Sequence, residues 1–309
     1  MLKKRCKAET LVDTRVGASE ATLADCLLSE SPCIDDSEQP IATAARALDS
    51  IAMLRDRAHS SARCITVHRQ GKCASFRDPK NPETIVPHIP KLKPKQMMGQ
   101  DVQRAYETCA VVGNGPGLSG SPPKAAAIDA HDAIFRFNYV HNVSTQGART
   151  THRVLNNKRA RIFFAQKHVR KALALSPKET WLLWNYVSLD LLQPLRKHVN
   201  DTRVIHTEFI AHTVDAYFGL RRDLRRLGVP GMGCPSNVSS GLHGILLALA
   251  LCRRVNVFGF SFSRGMLHLK GQRLKGSKGK ETFKSQAHDW GTDVLIIRLL
   301  AMAGVLNIC

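Results

Sequence analysis

Apolar and polar positions change period several times along the chain, and each change marks an element. Cys109–Val112 reads as a buried strand, Pro123–Ala130 as a short helix and Ala133–Asn138 as a second strand. Thr180–Asn185 and Thr202–His206 read as further strands. Val214–Leu227 carries apolar residues at helical spacing and stops at Gly228. Ser240–Cys252 is apolar nearly all round, the mark of a buried helix, and Val255–Phe260 follows as a strand. A last helix is predicted to start at Asp289 or later and to end near Gly304. Strands that alternate with helices predict an α/β fold, with a mainly parallel sheet flanked by helices. In such sheets ligands sit at the carboxyl ends of the strands.

The pattern is different before residue 100. One amphipathic helix is predicted around Ile41–Arg57. Prolines at 79, 82, 87, 90 and 94 then favour an extended linker without regular structure. Residues 1–100 are therefore expected to be an irregular, largely disordered extension ending in a stem-like linker, and 101–309 the main domain. There are no internal repeats.

Composition narrows the function. Of 309 residues 43% are apolar, enough for a core, and only 6% are aromatic, which argues against base stacking on nucleic acid. Lys and Arg number 45 against 25 Asp and Glu, a formal charge of +20, so the partners are anionic. No stretch reaches the roughly 20 apolar residues of a membrane span. The run from Gly241 stops at Arg253, and Val294–Ile308 is cut by Arg298. The start, "MLKKRCKAETLVDTRVG", lacks the apolar core of a signal peptide. Nine cysteines include no CxxC pair, so a zinc ribbon is not indicated. Sequons open at Asn142, Asn200 and Asn237.

The loop Gly113-Asn114-Gly115-Pro116-Gly117 follows a strand, as in a dinucleotide site. That reading requires an acid at the end of the second strand, where this chain has Asn138. A NAD-type enzyme and a simple tight turn both remain as readings of the loop alone. Two more stretches matter: "CPSNVSSGLHGILLALALCRRVNVFGFSFS" from Cys234, and "HDWGTD" from His288. Together with "CAVVGNGPGL" and "IDAHDAIFRFN", they resemble the long, short and very short motifs of the eukaryotic sialyltransferase family, in the right order. The similar region covers about residues 105–305.

The resemblance implies a modified Rossmann-like (GT-A-like) domain that moves sialic acid from CMP-sialic acid to a glycan hydroxyl, with inversion. No cofactor or metal is implied, since CMP leaves without one, and no Asp-x-Asp motif occurs. It assigns Asn114 and Asn138 to the nucleotide, although each also suits a turn. Ser239, Ser240 and Gly241 are assigned to the donor at a helix start, where an ordinary serine cap fits equally. Ser261 is a weaker donor contact. His288 takes the general-base position and His268 that of a second histidine, facing the donor phosphate. Asp293 fills the acidic position of the last motif, either orienting His288 or solvating the helix surface. Cys109 and Cys252 are implied as a disulfide; a Cys234–Cys309 bridge is a weaker expectation.

The implied partners are the nucleotide sugar and a glycoprotein or glycolipid acceptor, with acceptor contacts between roughly 150 and 230, and no nucleic acid. The implied place is the Golgi lumen or membrane. The chain departs from the family with Gly115 for Ser, Val238 for Pro, Asp293 for Glu, and no aromatic residue after His268. A catalytically silent relative that binds CMP or glycan is thus the second expectation, and a basic RNA binder using Arg253–Lys284 the third.

Overall fold

The computed structural model describes residues 39–57, 77–78, 81–85, 106–115, 122–138, 147–165, 179–184, 186–205, 207–229, 238–260 and 288–309, with 23, 25–28 and 232 besides. In chain order the elements are α1 (Gln39–Arg46), α2 (Asp49–Arg57), β1 (Arg77–Asp78), β2 (Asn81–Ile85), β3 (Tyr106–Val112), α3 (Pro122–Asp129), β4 (Ala133–Phe137), β5 (His152–Leu155) and α4 (Asn157–Ala165). Then come β6 (Thr180–Leu183), a 3₁₀ turn (Tyr186–Leu191), α5 (Leu192–Arg196), β7 (Thr202–Val204), α6 (Thr207–Arg226), α7 (Ser240–Leu251), β8 (Cys252–Phe258), α8 (Trp290–Met302) and β9 (Asn307–Ile308).

Seven strands form one sheet in the order β7-β6-β5-β4-β3-β8-β9, and every pairing from β7 across to β8 is parallel. Val111 of β3 lies opposite Phe135 of β4 on one side and Val257 of β8 on the other. The order runs outward from β3 through β4 to β7 and then reverses to β8. That reversal is a topological switch point, where α/β sheets open a crevice at the carboxyl ends of their strands. All five residues of β4 are buried, Arg136 among them, which is why Ala133–Phe135 is an unbroken apolar run rather than an alternating one.

Several boundaries differ from the sequence reading. The single helix predicted over 41–57 is two, α1 and α2, parted at Ala47–Leu48. The proline-rich stretch is not free of regular structure: β1 and β2 pair antiparallel, with Pro82 inside β2. A two-stranded ribbon leaves each strand an unpaired edge, where a residue without N–H is tolerated. Helix α6 begins at Thr207 rather than Val214, because polar residues in its first turns dilute the periodic signal. Helix α7 runs straight into β8 at Cys252, with neither Gly nor Pro to mark the change. Strand β5 escaped the reading because two of its four residues, the buried His152 and Arg153, are polar.

The chain divides into two compact units, one of Met1–Asp56, Val214–Leu242 and Ser261–Ile308, the other of Arg57–Thr213, His243–Phe260 and Cys309. In the first, Arg46 Nε donates to Ala303 O at 3.4 Å and the Ser50 N–H to Asp223 Oδ2 at 3.3 Å. Arg298, buried in α8, donates to Leu27 O at 2.8 Å. In the second, Leu155, Phe163, Trp181, Leu183, Leu195 and Val204 form one apolar cluster. Ala110, Val112, Ile128, Ile134 and Phe258 form another. Among the described residues no helix is long and apolar enough to cross a membrane.

The Cys109–Cys252 disulfide is formed, with both residues buried in the second unit. Cys26 is also disulfide-bonded. Cys309 is a free, exposed thiol, so the expected Cys234–Cys309 bridge is not present. The Cys109–Cys252 bond closes a span of 143 residues. Replacing both cysteines by serine is expected to lower the unfolding free energy by roughly 4 kcal/mol. Urea denaturation of the oxidised protein measures this, and an unchanged midpoint would show that the cross-link contributes nothing.

Candidate active site

In the second unit, the ends of β3, β4 and β8 are tied together. The Gly113 N–H donates to Phe258 O and the Gly115 N–H to Gly259 O, both at 2.8 Å. A Cβ at Gly113 would stand 2.7 Å from Gly259 O, so the loop leaves β3 only as glycine. Asn114 is exposed, and its Nδ2 donates to Phe137 O at 3.0 Å. Asn138, just past β4, has φ 54, the left-handed region that asparagine tolerates better than most residues. Its N–H donates to Val154 O at 2.9 Å, and its Oδ1 accepts the Asn156 N–H at 3.3 Å. Behind it, Gly244 of α7 lies so close to the Phe137 ring that a Cβ would overlap it.

These bonds decide which way each amide faces. A carbonyl oxygen can only accept, so nitrogen faces it in Asn114; a backbone N–H can only donate, so oxygen faces it in Asn138. Among the described residues, Asn114 Oδ1 and Asn138 Nδ2 have no protein partner. The structure thus brings these two predicted residues together, one offering an acceptor and the other a donor.

The start of α7 belongs to the first unit. Ser239 is 2% exposed. Its Oγ accepts the Leu242 N–H at 3.1 Å, a helix cap, and it is hydrogen-bonded to the Asp293 carboxyl. Ser240 and Gly241 are half-buried at the helix start. Asp293 is 5% exposed in the first turn of α8, so it does not solvate the helix surface.

Burial, aided by the charge of Asp289, pushes the Asp293 carboxyl up to about 7, against the Ser239 hydrogen bond and Arg221. Its Oδ2 has no hydrogen-bond partner among the described residues. Asp289 caps α8, accepting the Thr292 N–H at 3.2 Å and the Thr292 hydroxyl at 2.6 Å. The fully buried Arg221 donates to Asp289 at 3.4 Å and to the Tyr217 hydroxyl at 3.2 Å. His288, half-buried, precedes this cap, with its ring 5.0 Å from that of Trp290. Ser261 and His268 lie outside the described residues.

The sequence reading missed Arg221, Asp289 and a buried pair, Arg153 with Glu179. Each has polar or charged neighbours in the chain, so nothing local marks these four out.

The strand order and the polar amides at its switch point define an α/β class of protein in which ligands sit beyond the carboxyl ends of the strands. The family model for glycosyltransferase family 29 (sialyltransferase) matches residues 56–305. The chain belongs to this family, which displaces the NAD-type reading of the glycine loop. It is 27% identical over 191 residues to sialyltransferase-like protein 2 of Oryza sativa subsp. indica, covering 53% of this chain and 47% of that protein. The chain thus spans about half the length of that relative.

Among solved structures, a mammalian sialyltransferase is 16% identical at a TM-score of 0.44, covering 96% of this chain and 87% of that one. The same description with Gal-beta-1-3GalNAc-ortho-nitrophenol gives 16% and 0.47, with 80% and 97% covered. The sialyltransferase CstII from Campylobacter jejuni, in complex with the substrate analogue CMP-3FNeuAc, gives 17% and 0.38, with 65% and 79% covered. At such scores the fold assignment rests on the strand order itself.

Asp293 makes the stability of the fold depend on pH. Its folded pKa lies above the ordinary carboxyl value, so the folded state holds a proton that the unfolded state loses first. Stability therefore falls as pH rises from about 4 to about 7, and Asp223, raised to about 6 by burial, adds in the same direction. Thermal melts across this range should show Tm falling with pH, with a shallower fall in Asp293→Asn. Equal slopes for variant and wild type would contradict a buried, protonated Asp293.

Proposed function

We propose that this protein transfers sialic acid from CMP-sialic acid to a sugar hydroxyl of a glycoprotein or glycolipid, with inversion at the anomeric carbon. The observation that carries the reading is the opposed pair of amides, Asn114 Oδ1 and Asn138 Nδ2, beyond the carboxyl ends of β3 and β4. Cytidine suits such a pair: its amino hydrogens meet the acceptor, and its ring or ribose oxygens meet the donor. Membership of family 29 supports the same reading.

In this reading Ser240 and Gly241, at the positive end of α7, receive the phosphate of CMP. Ser239 holds the helix start in shape through its cap. His288 takes the proton from the acceptor hydroxyl while that oxygen bonds to the anomeric carbon and the bond to the CMP phosphate oxygen breaks. CMP departs with the electron pair, and His268 faces its phosphate. The leaving group is a nucleoside monophosphate, so the proposal includes no metal. The buried disulfide supports work in an oxidising compartment, and the Golgi lumen is the one proposed. Asp293 for Glu and the missing aromatic residues after His268 favour, as the second reading, a silent relative that binds CMP without turnover.

Release of CMP from CMP-sialic acid with galactoside acceptors tests both. His288→Ala is expected to lower kcat by roughly 100- to 10,000-fold while CMP affinity stays unchanged. Retained turnover in that variant would remove His288 as the base. A wild-type chain that binds CMP but never releases it from the donor would establish the silent form.

A further inference from the structure

Asn138 is the one non-glycine residue at positive φ among those described, and three groups hold it there. Two are main-chain atoms of the neighbouring strand and its extension, Val154 O and the Asn156 N–H. The third is a side chain: Arg153 Nη1 donates to Asn138 O at 2.9 Å. Arg153 is 5% exposed and has no freedom to turn. Its Nε and Nη2 form two parallel bonds of 2.6 Å to the Glu179 carboxylate. Glu179, 2% exposed, is itself fixed by the Trp181 Nε1–H at 3.1 Å.

A buried ion pair is a poor device for stability, since well-packed apolar residues commonly serve as well or better. This one also lies beside a second buried arginine, because Arg153 is opposite Arg136 across β4 and β5. What the guanidinium supplies, and an apolar side chain cannot, is a rigid fork that grips a carboxylate with two nitrogens and aims the third at a main-chain carbonyl.

We propose that the Arg153–Glu179 pair is a positioning device for the nucleotide: it locks Asn138 in its left-handed conformation and so directs the Asn138 amide toward the cytidine. The proposal rests on the reading of Asn138 as a CMP contact. Lysine at 153 keeps the charge but cannot serve the carboxylate and the carbonyl together in this geometry. Glutamine at 179 keeps the shape but weakens the clamp.

The test is calorimetric titration of the full chain with CMP, for wild type, Arg153→Lys, Glu179→Gln, the apolar double variant Arg153→Met/Glu179→Leu, and Asn138→Ala. Arg153→Lys and the double variant are expected to fold and to weaken CMP binding about tenfold, the scale of one lost hydrogen bond. KM for CMP-sialic acid should rise by more than kcat falls. Combined with Asn138→Ala, Arg153→Lys should add no further loss, because both act through one amide.

Binding of CMP that Asn138→Ala weakens but the folded Arg153 and Glu179 variants leave unchanged would overturn this proposal alone. Unfolding of all the Arg153 and Glu179 variants would overturn it too, the pair then being structural. A wild-type chain that does not bind CMP would overturn the reading of the site along with it.

Discussion

The pairing of β3 with β8 is the constraint on which the rest depends. Parallel neighbours cannot be joined by a tight turn, and here the partner strand arrives only after β4 to β7 have been laid down on the other side. Closing so long a loop costs chain entropy, and the Cys109–Cys252 bond takes part of that cost out of the folding step. Once the register is set, Gly113 and Gly115 find their acceptors at Phe258 and Gly259, and the glycine loop has a floor. Without that register the loop would have only its own turn chemistry to shape it.

Beyond the strand ends, side chains take over from regular hydrogen bonding. Main-chain groups there have lost their ladder partners and require others. Arg153 reaches the carbonyl of Asn138, Ser239 caps α7, and Asp289 caps α8. Each of these groups is in turn held by a further side chain: Glu179 for Arg153, the Asp293 carboxyl for Ser239 and Arg221 for Asp289. In these three places buried polar groups are spent on the termini of elements. That is an unusual use of costly groups.

The resemblance to family 29 was legible because its motifs are local: a strand with a glycine loop, a serine pair before an apolar helix, a histidine before another. The central elements were legible for the same reason. Cys109–Val112 of β3, Ala133–Phe135 of β4 and Ile245–Leu251 of α7 are apolar runs, as expected of elements buried between covered faces. Strand β5 was not legible, since an arginine whose partner stands at Glu179 cannot be told from a surface arginine by its neighbours in the chain. The change from α7 to β8 was missed for a related reason: Leu251–Cys252 is apolar in both elements.

By itself, then, the sequence determined the alternation of elements, the residue types at the strand ends and the family. These follow from the period and identity of nearby residues. Only the tertiary structure decided that Asn114 turns its nitrogen inward and Asn138 its oxygen, that Asp293 is buried against Ser239 rather than solvated, and that Arg153 ends on a carbonyl. An amide's direction, a carboxyl's proton and a guanidinium's target are each set by the group across from them, and that group comes from a distant part of the chain.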